Sequence, residues 1–281
     1  MLKERVAVVT GANKGIGFDP SYIGPEQTPN GSVRFIKEFF NDEKAKNLSK
    51  IDFIACRHVL EHMKDPLKLL LTIRRSLNMT KNTAVFFEVP NVKWILTNFV
   101  FWDIFYEHYS YFTPKSLEYA ILKAGLEVTK TSTEFGDQYL WIEAKPMKNK
   151  DQDIELHLLP DDEIHSEINA FVKNYDNQIE KCKKLIISMN ETDKSAVWGA
   201  GAKGVTLLNI LDPNAELIDA AIDINPNKQG KFIAGTGHPI ISPKEIKNKN
   251  YKKILNLNPN YLNENNELLR KMSVEIQLST L

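Results

Sequence analysis

The sequence is poor in cysteine, has no surplus of either charge and contains no long hydrophobic run. Its two cysteines, Cys56 and Cys182, are far apart and belong to no CxxC pair, which excludes a cysteine-rich zinc site and gives no sign of a disulfide framework. Basic and acidic residues balance at 36 each, so no net field favours nucleic acid or an anionic membrane. No apolar run reaches the roughly 18 residues of a membrane span, and no basic-then-apolar leader opens the chain. We therefore expect a cytoplasmic protein without nucleic-acid or membrane partners.

What the sequence does contain is an alternation of strand-like and helix-like segments. Short apolar runs rich in β-branched and aromatic residues predict buried strands, and periodic segments preceded by a capping residue predict helices. The predicted strands are 33–37, 51–56, 83–90 and 139–146, and the predicted helices are 65–77 and 113–128. This alternation predicts an α/β fold with a mainly parallel, doubly wound sheet.

A polar segment at 147–160 separates this pattern from a long amphipathic helix. Apolar side chains between Ile164 and Ile186 recur at steps of three, four or seven residues, which places them on one helix face. We therefore predict two Rossmann-like lobes joined by a long helix. The expected divisions are an atypical head at 1–17, a first domain at 18–146, the linker and helix at 147–190 and a second domain at 191–281.

The second domain opens with a complete nucleotide-binding pattern. Residues 194–211 give a strand, a GxGxxG run and a helix, and the strand in 215–226 ends at Asp223, about 20 residues beyond the glycines. The glycines of the run are Gly199, Gly201 and Gly204. A purely structural explanation stays open, since glycines also permit tight packing of a helix on a strand.

The first residues carry a similar pattern that is incomplete. VAVVTGANKGIG (6–17) is typical of a strand running into a glycine-rich phosphate loop, yet an acidic residue of the ribose-binding type follows at Asp19. In a βαβ unit that acid comes about 20 residues after the glycines, because a helix and a second strand lie between. The stretch therefore joins two halves that do not belong to one such unit: it can supply a strand, but not the intervening helix.

Six separated stretches, in order, resemble the sugar-nucleotide C-methyltransferases. They are GFDPSYIG, IDFIACRHVLEHMKDPLKLL, FYEHYSYFTPKSL, GDQYLWIEAKP, VWGAGAKGVTLLNIL and IDINPNKQGKFIAGTGHPIISP. The resemblance implies an S-adenosylmethionine-dependent enzyme that methylates a carbon of a keto-deoxysugar on a nucleoside diphosphate, with thymidine diphosphate as the expected carrier. Members of that family open with a cysteine-rich zinc domain and a first strand and glycine loop. This sequence has neither, and residues 1–17 are instead similar to the opening of short-chain dehydrogenases.

Methylation next to a ketone needs a base that takes the α-proton, and His108 in YEHYSYF is the predicted base. An imidazole titrates near neutral pH, and the resemblance points to the same Glu107–His108 pair. Glu107 is expected to orient the ring or to bind a sugar hydroxyl, and His58 is the expected second polar participant. Without the resemblance, a lone histidine is more often a satisfied structural residue.

The ribose of the cofactor is expected at Asp19, because one carboxylate can accept hydrogen bonds from both hydroxyls. Phe39 and Phe40 follow a predicted strand and are candidates for flanking the adenine, although a core position is equally compatible. The resemblance implies further cofactor contacts at the ends of two strands, namely Cys56, Arg57 and Glu88.

In the second domain, the resemblance implies a site for the nucleotide-sugar in place of a redox cofactor. Lys203 lies in the glycine loop near a helix N-terminus, where a pyrophosphate is favoured. His238 is expected either to touch the nucleotide or to cap a turn. The predicted contacts are Gly199, Gly201, Lys203, Gly204, Asp223, Asn225, Lys228 and His238.

Three alternatives compete with this interpretation. HVLEH (58–62) suggests a metal site, but the zincin pattern places its glutamate directly after the first histidine, so we predict no metal here. TGANKGIG together with Tyr119 and Lys123 matches an NADP-dependent short-chain dehydrogenase formally, although Tyr119 is spaced as a helix packing residue. The third alternative is a non-catalytic protein that keeps only the nucleotide-sugar site.

Overall fold

A computed structural model describes residues 6–10, 14–48, 51–77, 83–147, 162–190, 194–249, 251 and 253–280. The chain divides into two compact units. The first comprises Met1–Trp94 and Tyr106–Ile164, and the second comprises Ile95–Phe105 and His165–Leu281. The segment 95–105 is thus separated in sequence from the rest of its unit, and the pattern of predicted elements gives no sign of this.

The first unit is a seven-stranded sheet with helices. Its strands are β1 (Val6–Thr10), β2 (Gly15–Phe18), β3 (Val33–Ile36), β4 (Ile51–Arg57), β5 (Ala84–Pro90), β6 (Leu126–Glu134) and β7 (Tyr139–Pro146). Its helices are α1 (Asp42–Lys46), α2 (Pro66–Ser76) and α4 (Pro114–Lys123), while α3 (Val92–Thr97) leads into the second unit. The strand order is β3-β2-β1-β4-β5-β7-β6. Five strands share one direction, and β1 and β7 run against them.

The helix starts follow from local capping. The carboxylate of Asp65 accepts a hydrogen bond from the N–H of Lys68, directly before α2. Thr113 and Ser116 cap α4 reciprocally, each side chain bonding the backbone of the other. Gly125 follows α4 with a φ of +79°, a conformation that favours glycine, so the helix stops at this glycine and the chain turns into β6.

The core of this unit lies between the central strands and the helices α2 and α4. Its centre is apolar and fully buried, as the strand patterns predict; it includes Ile54, Leu70, Phe87, Ile121 and Leu140, each 0% exposed. Side chains of β4 and β5 thus share one buried cluster with side chains of both helices.

The N-terminal glycine-rich stretch does not form a phosphate loop. Strand β1 is paired antiparallel with β2 and with β4, so Val6 at its start lies level with the carboxyl ends of β2 and β4. Gly15 and Gly17 belong to β2 itself, which is the next element after β1 among the described residues. Gly11 lies outside the described residues. The dehydrogenase interpretation of this stretch is therefore wrong, because a dinucleotide loop needs a strand followed by a helix.

The second unit is a five-stranded sheet in which every pairing is parallel, in the order β10-β9-β8-β11-β12. Its strands are β8 (Ser195–Trp198), β9 (Ala220–Ile222), β10 (Ile240–Ile241), β11 (Lys253–Asn256) and β12 (Gln277–Thr280). Its helices are α5 (Asp162–Asn190), α6 (Ala202–Leu211), α7 (Ile246–Lys249) and α8 (Leu262–Lys271). The two sheets confirm the predicted mixed α/β, Rossmann-like fold.

The predicted long helix is confirmed as α5, and it packs within the second unit. Phe171 stacks on Phe99 with ring centroids 6.2 Å apart, and Tyr175 meets the ring of Phe101 edge-on at 5.8 Å. The segment 95–105 thus contributes aromatic partners to α5. Among the described residues, no helix has both the length and the apolar character needed to cross a membrane.

Candidate active site

The register of the first sheet brings several strand ends to one level. Phe18 of β2 and Cys56 of β4 are both paired with Val6 of β1, and Arg57 is paired with Glu88 of β5. Because β2, β4 and β5 share one direction, the residues that follow them lie along the same carboxyl edge. The start of β1 occupies the middle of this edge, where a parallel first strand would have ended.

Asp19 follows β2 at this edge and is only 6% exposed. Its Oδ1 accepts hydrogen bonds from the backbone N–H and the hydroxyl of Ser21, at 2.8 and 2.6 Å. The two candidate aromatic residues behave differently. Phe40 packs on Phe18 in the core, whereas Phe39 is 56% exposed. Of the pair, Phe39 alone is accessible to a ligand, and Phe40 is a core residue.

Glu88 at the end of β5 is buried, and its carboxylate is paired with two basic side chains. Arg57 donates to both carboxylate oxygens, at 3.2 and 2.9 Å, and His58 donates to Oε1 from Nε2 at 2.9 Å. The other ring nitrogen of His58 lies 3.3 Å from Oε1 of the buried Glu61. His58 itself has a φ of +53°, an uncommon conformation for a residue with a side chain, and its N–H bonds the Glu88 carbonyl.

We call Arg57, His58, Glu61 and Glu88 the charged clamp. The hydrogen bonds within it decide the charge of His58. Burial by itself would lower the pKa of His58, but the hydrogen bonds to Glu61 and Glu88 outweigh it and raise the pKa to about 9. For Glu88, burial opposes ionisation, whereas the hydrogen bonds from His58 and Arg57 lower the pKa of the carboxyl below its usual value. At neutral pH the clamp therefore contains an imidazolium between carboxylates.

A hydrogen-bonded connection joins the loop 106–110 to the turn that follows β4. The N–H groups of Tyr109 and Ser110 both donate to the carbonyl of Glu61, at 2.8 and 3.2 Å. In return, Nδ1 of His62 donates to the carbonyl of Glu107 at 3.2 Å. The two sequence motifs YEHYS and RHVLEH are thus held against each other by backbone groups.

His108 is placed by this connection beside His62, with ring centroids 4.7 Å apart and ring planes at 80°. Burial, together with the nearby charges of His62 and His58, lowers the pKa of His108 to about 4. The imidazole is therefore neutral at pH 7 and keeps a lone pair. One ligand atom each of Glu61, His62 and His108 lies within 4.8 Å of the other two.

Two predicted residues lie elsewhere than expected. Cys56 is 1% exposed inside the core, so the chain presents Arg57 and His58, and not the thiol, at the edge. Glu107 has an exposed side chain, and its carbonyl is the group that contacts His62. Glu61 and His62 were not among the predicted site residues, because the sequence analysis compared HVLEH only with the zincin spacing.

The glycine loop of the second unit combines a packing role with an open position. A Cβ on Gly204 would lie 1.9 Å from the carbonyl oxygen of Gly199, so this glycine is required for α6 to pack against the loop after β8. A Cβ on Gly201 would meet nothing within 4 Å. The structural explanation therefore holds for Gly204, whereas the backbone at Gly201, directly before α6, remains approachable.

Asp223 follows β9 and organises this loop. Its Oδ2 accepts hydrogen bonds from the backbone N–H of Ala200, at 3.1 Å, and from the ammonium of Lys228, at 2.9 Å. Its Oδ1 accepts the N–H of Asn225 at 2.8 Å. The structure thus brings Asp223, Asn225 and Lys228 together at the glycine loop.

Lys203 is already engaged by an acid of the same unit. Its ammonium lies 2.6 Å from Oδ2 of Asp103, which is 5% exposed. A cation in the first turn of a helix is unfavourable, and the carboxylate offsets this at the end of α6 where anions are preferred. The ammonium predicted to meet a pyrophosphate is therefore already paired with a carboxylate.

His238 is a structural residue, because it is completely buried. Its Nε2 donates to Asp212 at 2.8 Å, and its Nδ1 lies 2.6 Å from the hydroxyl of Thr236. Asp212 also accepts three backbone N–H groups, from residues 216–218. Of the two expected roles, the buried position leaves the turn-capping role and excludes direct contact with a nucleotide.

Comparison with known proteins gives the family. A family model described as a methyltransferase domain matches residues 4–131, and one described as a C-methyltransferase C-terminal domain matches residues 136–274. No curated protein matches the chain. The solved structure of RSP, a Rex-family repressor, is 13% identical and covers 43% of this chain and 68% of its own, with a TM-score of 0.25, which is too low to support an argument. The two family models together span nearly the whole chain, which is therefore a methyltransferase with a methyltransferase domain followed by a C-methyltransferase C-terminal domain.

Proposed function

We propose that the enzyme methylates a carbon next to the ketone of a deoxysugar carried on a nucleoside diphosphate, with S-adenosylmethionine as the methyl donor. Thymidine diphosphate is the proposed carrier. The observation that supports this most strongly is the connection between the loop 106–110 and the turn after β4, which places the neutral His108 beside the charged clamp of His58. A neutral base next to a fixed cation suits the removal of a proton next to a carbonyl.

In the proposed reaction, the lone pair of His108 takes the α-proton of the sugar. The electrons of the broken C–H bond move into the carbonyl, which becomes an enolate. Both ring N–H groups of His58 are directed to Glu61 and Glu88, so His58 acts through its positive charge and donates no proton. That charge favours the enolate over the ketone, because the negative charge develops only as the proton leaves.

The cofactor would supply an electrophilic methyl group to the α-carbon. Asp19 fits its ribose, since a buried carboxylate at the end of β2 can accept hydrogen bonds from two hydroxyls. Arg57, whose side chain is 61% exposed, retains donors beyond those used by Glu88 and suits a carboxylate. The glycine loop that usually cradles the methionine part does not fit here, because β1 begins where that loop would lie.

The second unit supports the nucleotide part of the proposal on its own. The open backbone at Gly201 precedes a ten-residue helix, a favourable place for a phosphate, and Asp223 lies beside it for a ribose or base. For Lys203 to contribute, the pyrophosphate has to share the ammonium with Asp103.

Exchange of the α-proton with deuterated solvent tests the base without the methyl donor. The enzyme is mixed with a thymidine-diphosphate keto-deoxysugar in D₂O, and the α-proton signal is followed by NMR. We expect exchange by the wild type and a loss of at least about 100-fold in His108→Ala, the usual contribution of a positioned base. The exposed histidine of α5, in the variant His165→Ala, is the matched control and should exchange like the wild type.

The same samples separate binding from chemistry. Calorimetric titration with the nucleotide-sugar should give similar affinities for wild type, His108→Ala and His165→Ala. Undiminished exchange in His108→Ala would refute the assignment of the base. An equal loss of exchange and of nucleotide-sugar binding would show instead that His108 only holds the loop 106–110 in place.

A further inference from the structure

The turn after β4 and the loop 106–110 bring three metal-binding types of side chain together. One ligand atom each of Glu61, His62 and His108 lies within 4.8 Å of the other two. Glu61 is 1% exposed and His62 is 9% exposed, so two of the three are removed from water. All three lie in the first unit and are held by the hydrogen bonds that join the two segments.

The ring of His62 is held in the tautomer that a metal ligand needs. Its Nδ1 lies 3.2 Å from the carbonyl oxygen of Glu107, which can only accept, so Nδ1 carries the hydrogen. Whenever the ring is deprotonated at Nε2, as a metal ligand must be, that atom presents its lone pair. A backbone carbonyl that binds the outer N–H is the usual support of a metal-bound histidine.

The two carboxylate oxygens of Glu61 also differ in their surroundings. Its Oε1 faces Nδ1 of His58 at 3.3 Å, whereas no hydrogen-bond donor among the described residues reaches its buried Oε2. Nε2 of His62 is likewise buried without a donor in the described part of the chain. Buried polar atoms without a hydrogen-bond partner are unfavourable, and a cation that binds both atoms would remove the penalty.

We propose that Glu61, His62 and His108 form a binding site for a divalent transition metal, with Zn²⁺ as the best match. Two imidazole nitrogens and one carboxylate oxygen are a ligand set that zinc accepts, and three protein ligands leave a fourth position open. Calcium and magnesium prefer shells made of oxygen. Ligand atoms around tetrahedral zinc lie about 3.4 Å apart, so the three side chains need to close only slightly.

The site has a consequence for the enzyme. A metal bound to His108 uses the lone pair that would otherwise take the α-proton, so metal and proton compete for one residue. Zinc is therefore expected to inhibit the enzyme reversibly. The inhibition rests on the proposed function, whereas the binding does not, and the two are measured separately.

Cobalt titration tests the binding. Chelator-treated, untagged protein is titrated with Co²⁺, whose visible absorption is intense in a tetrahedral site, and Zn²⁺ is then added to displace it. We expect one Co²⁺ per chain, displaced by Zn²⁺, and an affinity at least about tenfold lower in Glu61→Gln and in His62→Ala. His165→Ala removes an exposed histidine outside the site and should bind like the wild type.

The outcomes decide the proposal. Absence of binding by the wild type, or equal binding by all variants, overturns it, as does a loss confined to His165→Ala. Circular dichroism shows whether the two site variants fold. If neither folds, X-ray absorption of the zinc-loaded wild type decides: two imidazoles with oxygen ligands support the site, and sulfur or an all-oxygen shell overturns it. If zinc binds and the α-proton still exchanges, the metal site is supported and the role of His108 as base is refuted.

Discussion

Gly204 offers a sharp test of how the second unit is packed. In Gly204→Ala the new methyl carbon would lie 1.9 Å from the carbonyl oxygen of Gly199 and 3.3 Å from Cδ1 of Leu257. The first contact is with backbone, so α6 has to move away from the loop after β8 by more than 1 Å. Overpacking of this kind costs about 1–3 kcal/mol, and a rigid backbone partner places the cost near the upper end.

The matched control is Gly201→Ala in the same loop. A Cβ there meets nothing within 4 Å, and the residue precedes α6 as its cap with a φ of −84°. Alanine is a poorer cap than glycine, so a loss of at most about 1 kcal/mol is expected. Each variant adds one methyl group to a glycine of the same loop, so the comparison between them isolates the steric effect.

Hydrogen exchange followed by mass spectrometry is the appropriate assay, because a chain with two units need not unfold in one step. A loss of about 3 kcal/mol raises the opening constant about 100-fold. Peptides that cover β8 and α6 should therefore exchange about 100-fold faster in Gly204→Ala, with no change in β4 or β5. If Gly204→Ala exchanges like Gly201→Ala, the steric argument is wrong.

Two further predictions concern groups buried in either unit. Burial opposes ionisation of Asp212, but the hydrogen bonds from His238 and from the backbone outweigh it and lower the pKa of the carboxyl. A carboxyl whose pKa is lower in the folded than in the unfolded state stabilises the fold at pH values above its unfolded pKa. This stabilisation is lost as the pH falls through the folded pKa. Asp212→Asn should cost about 2 kcal/mol at pH 7 and flatten the loss of stability below about pH 5, measured by hydrogen exchange of second-unit peptides at several pH values and corrected for the intrinsic exchange rate; a curve parallel to the wild type would contradict this. Burial raises the pKa of Cys182 to about 11, and Cys56 is 1% exposed, so Ellman's reagent should detect neither thiol in the native protein and two after denaturation; rapid reaction of one thiol would show that its cover opens.

Much of the fold follows from the sequence because its signals are local. The capping residues Asp65 and Thr113 and the apolar face of α5 are read directly from neighbouring residues. The direction of β1, in contrast, does not follow from the residues of the strand itself. The segment 6–10 is a good strand in either direction, and only the shortness of the connection to β2 requires the antiparallel hairpin. The same shortness was visible as the misplaced acid at Asp19.

The site was harder to predict because its contacts are distant in sequence. His58 and His108 were identified from their motifs, but Glu61 and His62 required the loop 106–110, which lies 45 residues beyond His62. The left-handed backbone of His58 also means that His58 and His62 are not spaced as two residues of one helix. Lys203 is a similar case, since nothing near it in the sequence reveals Asp103 as its partner.

The separation of Asp103 from Lys203 by 100 residues has a consequence for how the protein is made and dissected. During synthesis the segment 95–105 leaves the ribosome long before α5 and α6, so its aromatic and acidic side chains wait for partners until most of the chain exists. A fragment that starts at residue 165 would contain every strand of the second sheet and yet lack both sets of partners. Expression of the second unit alone therefore requires residues 95–105 to be supplied as well, by fusion or as a peptide.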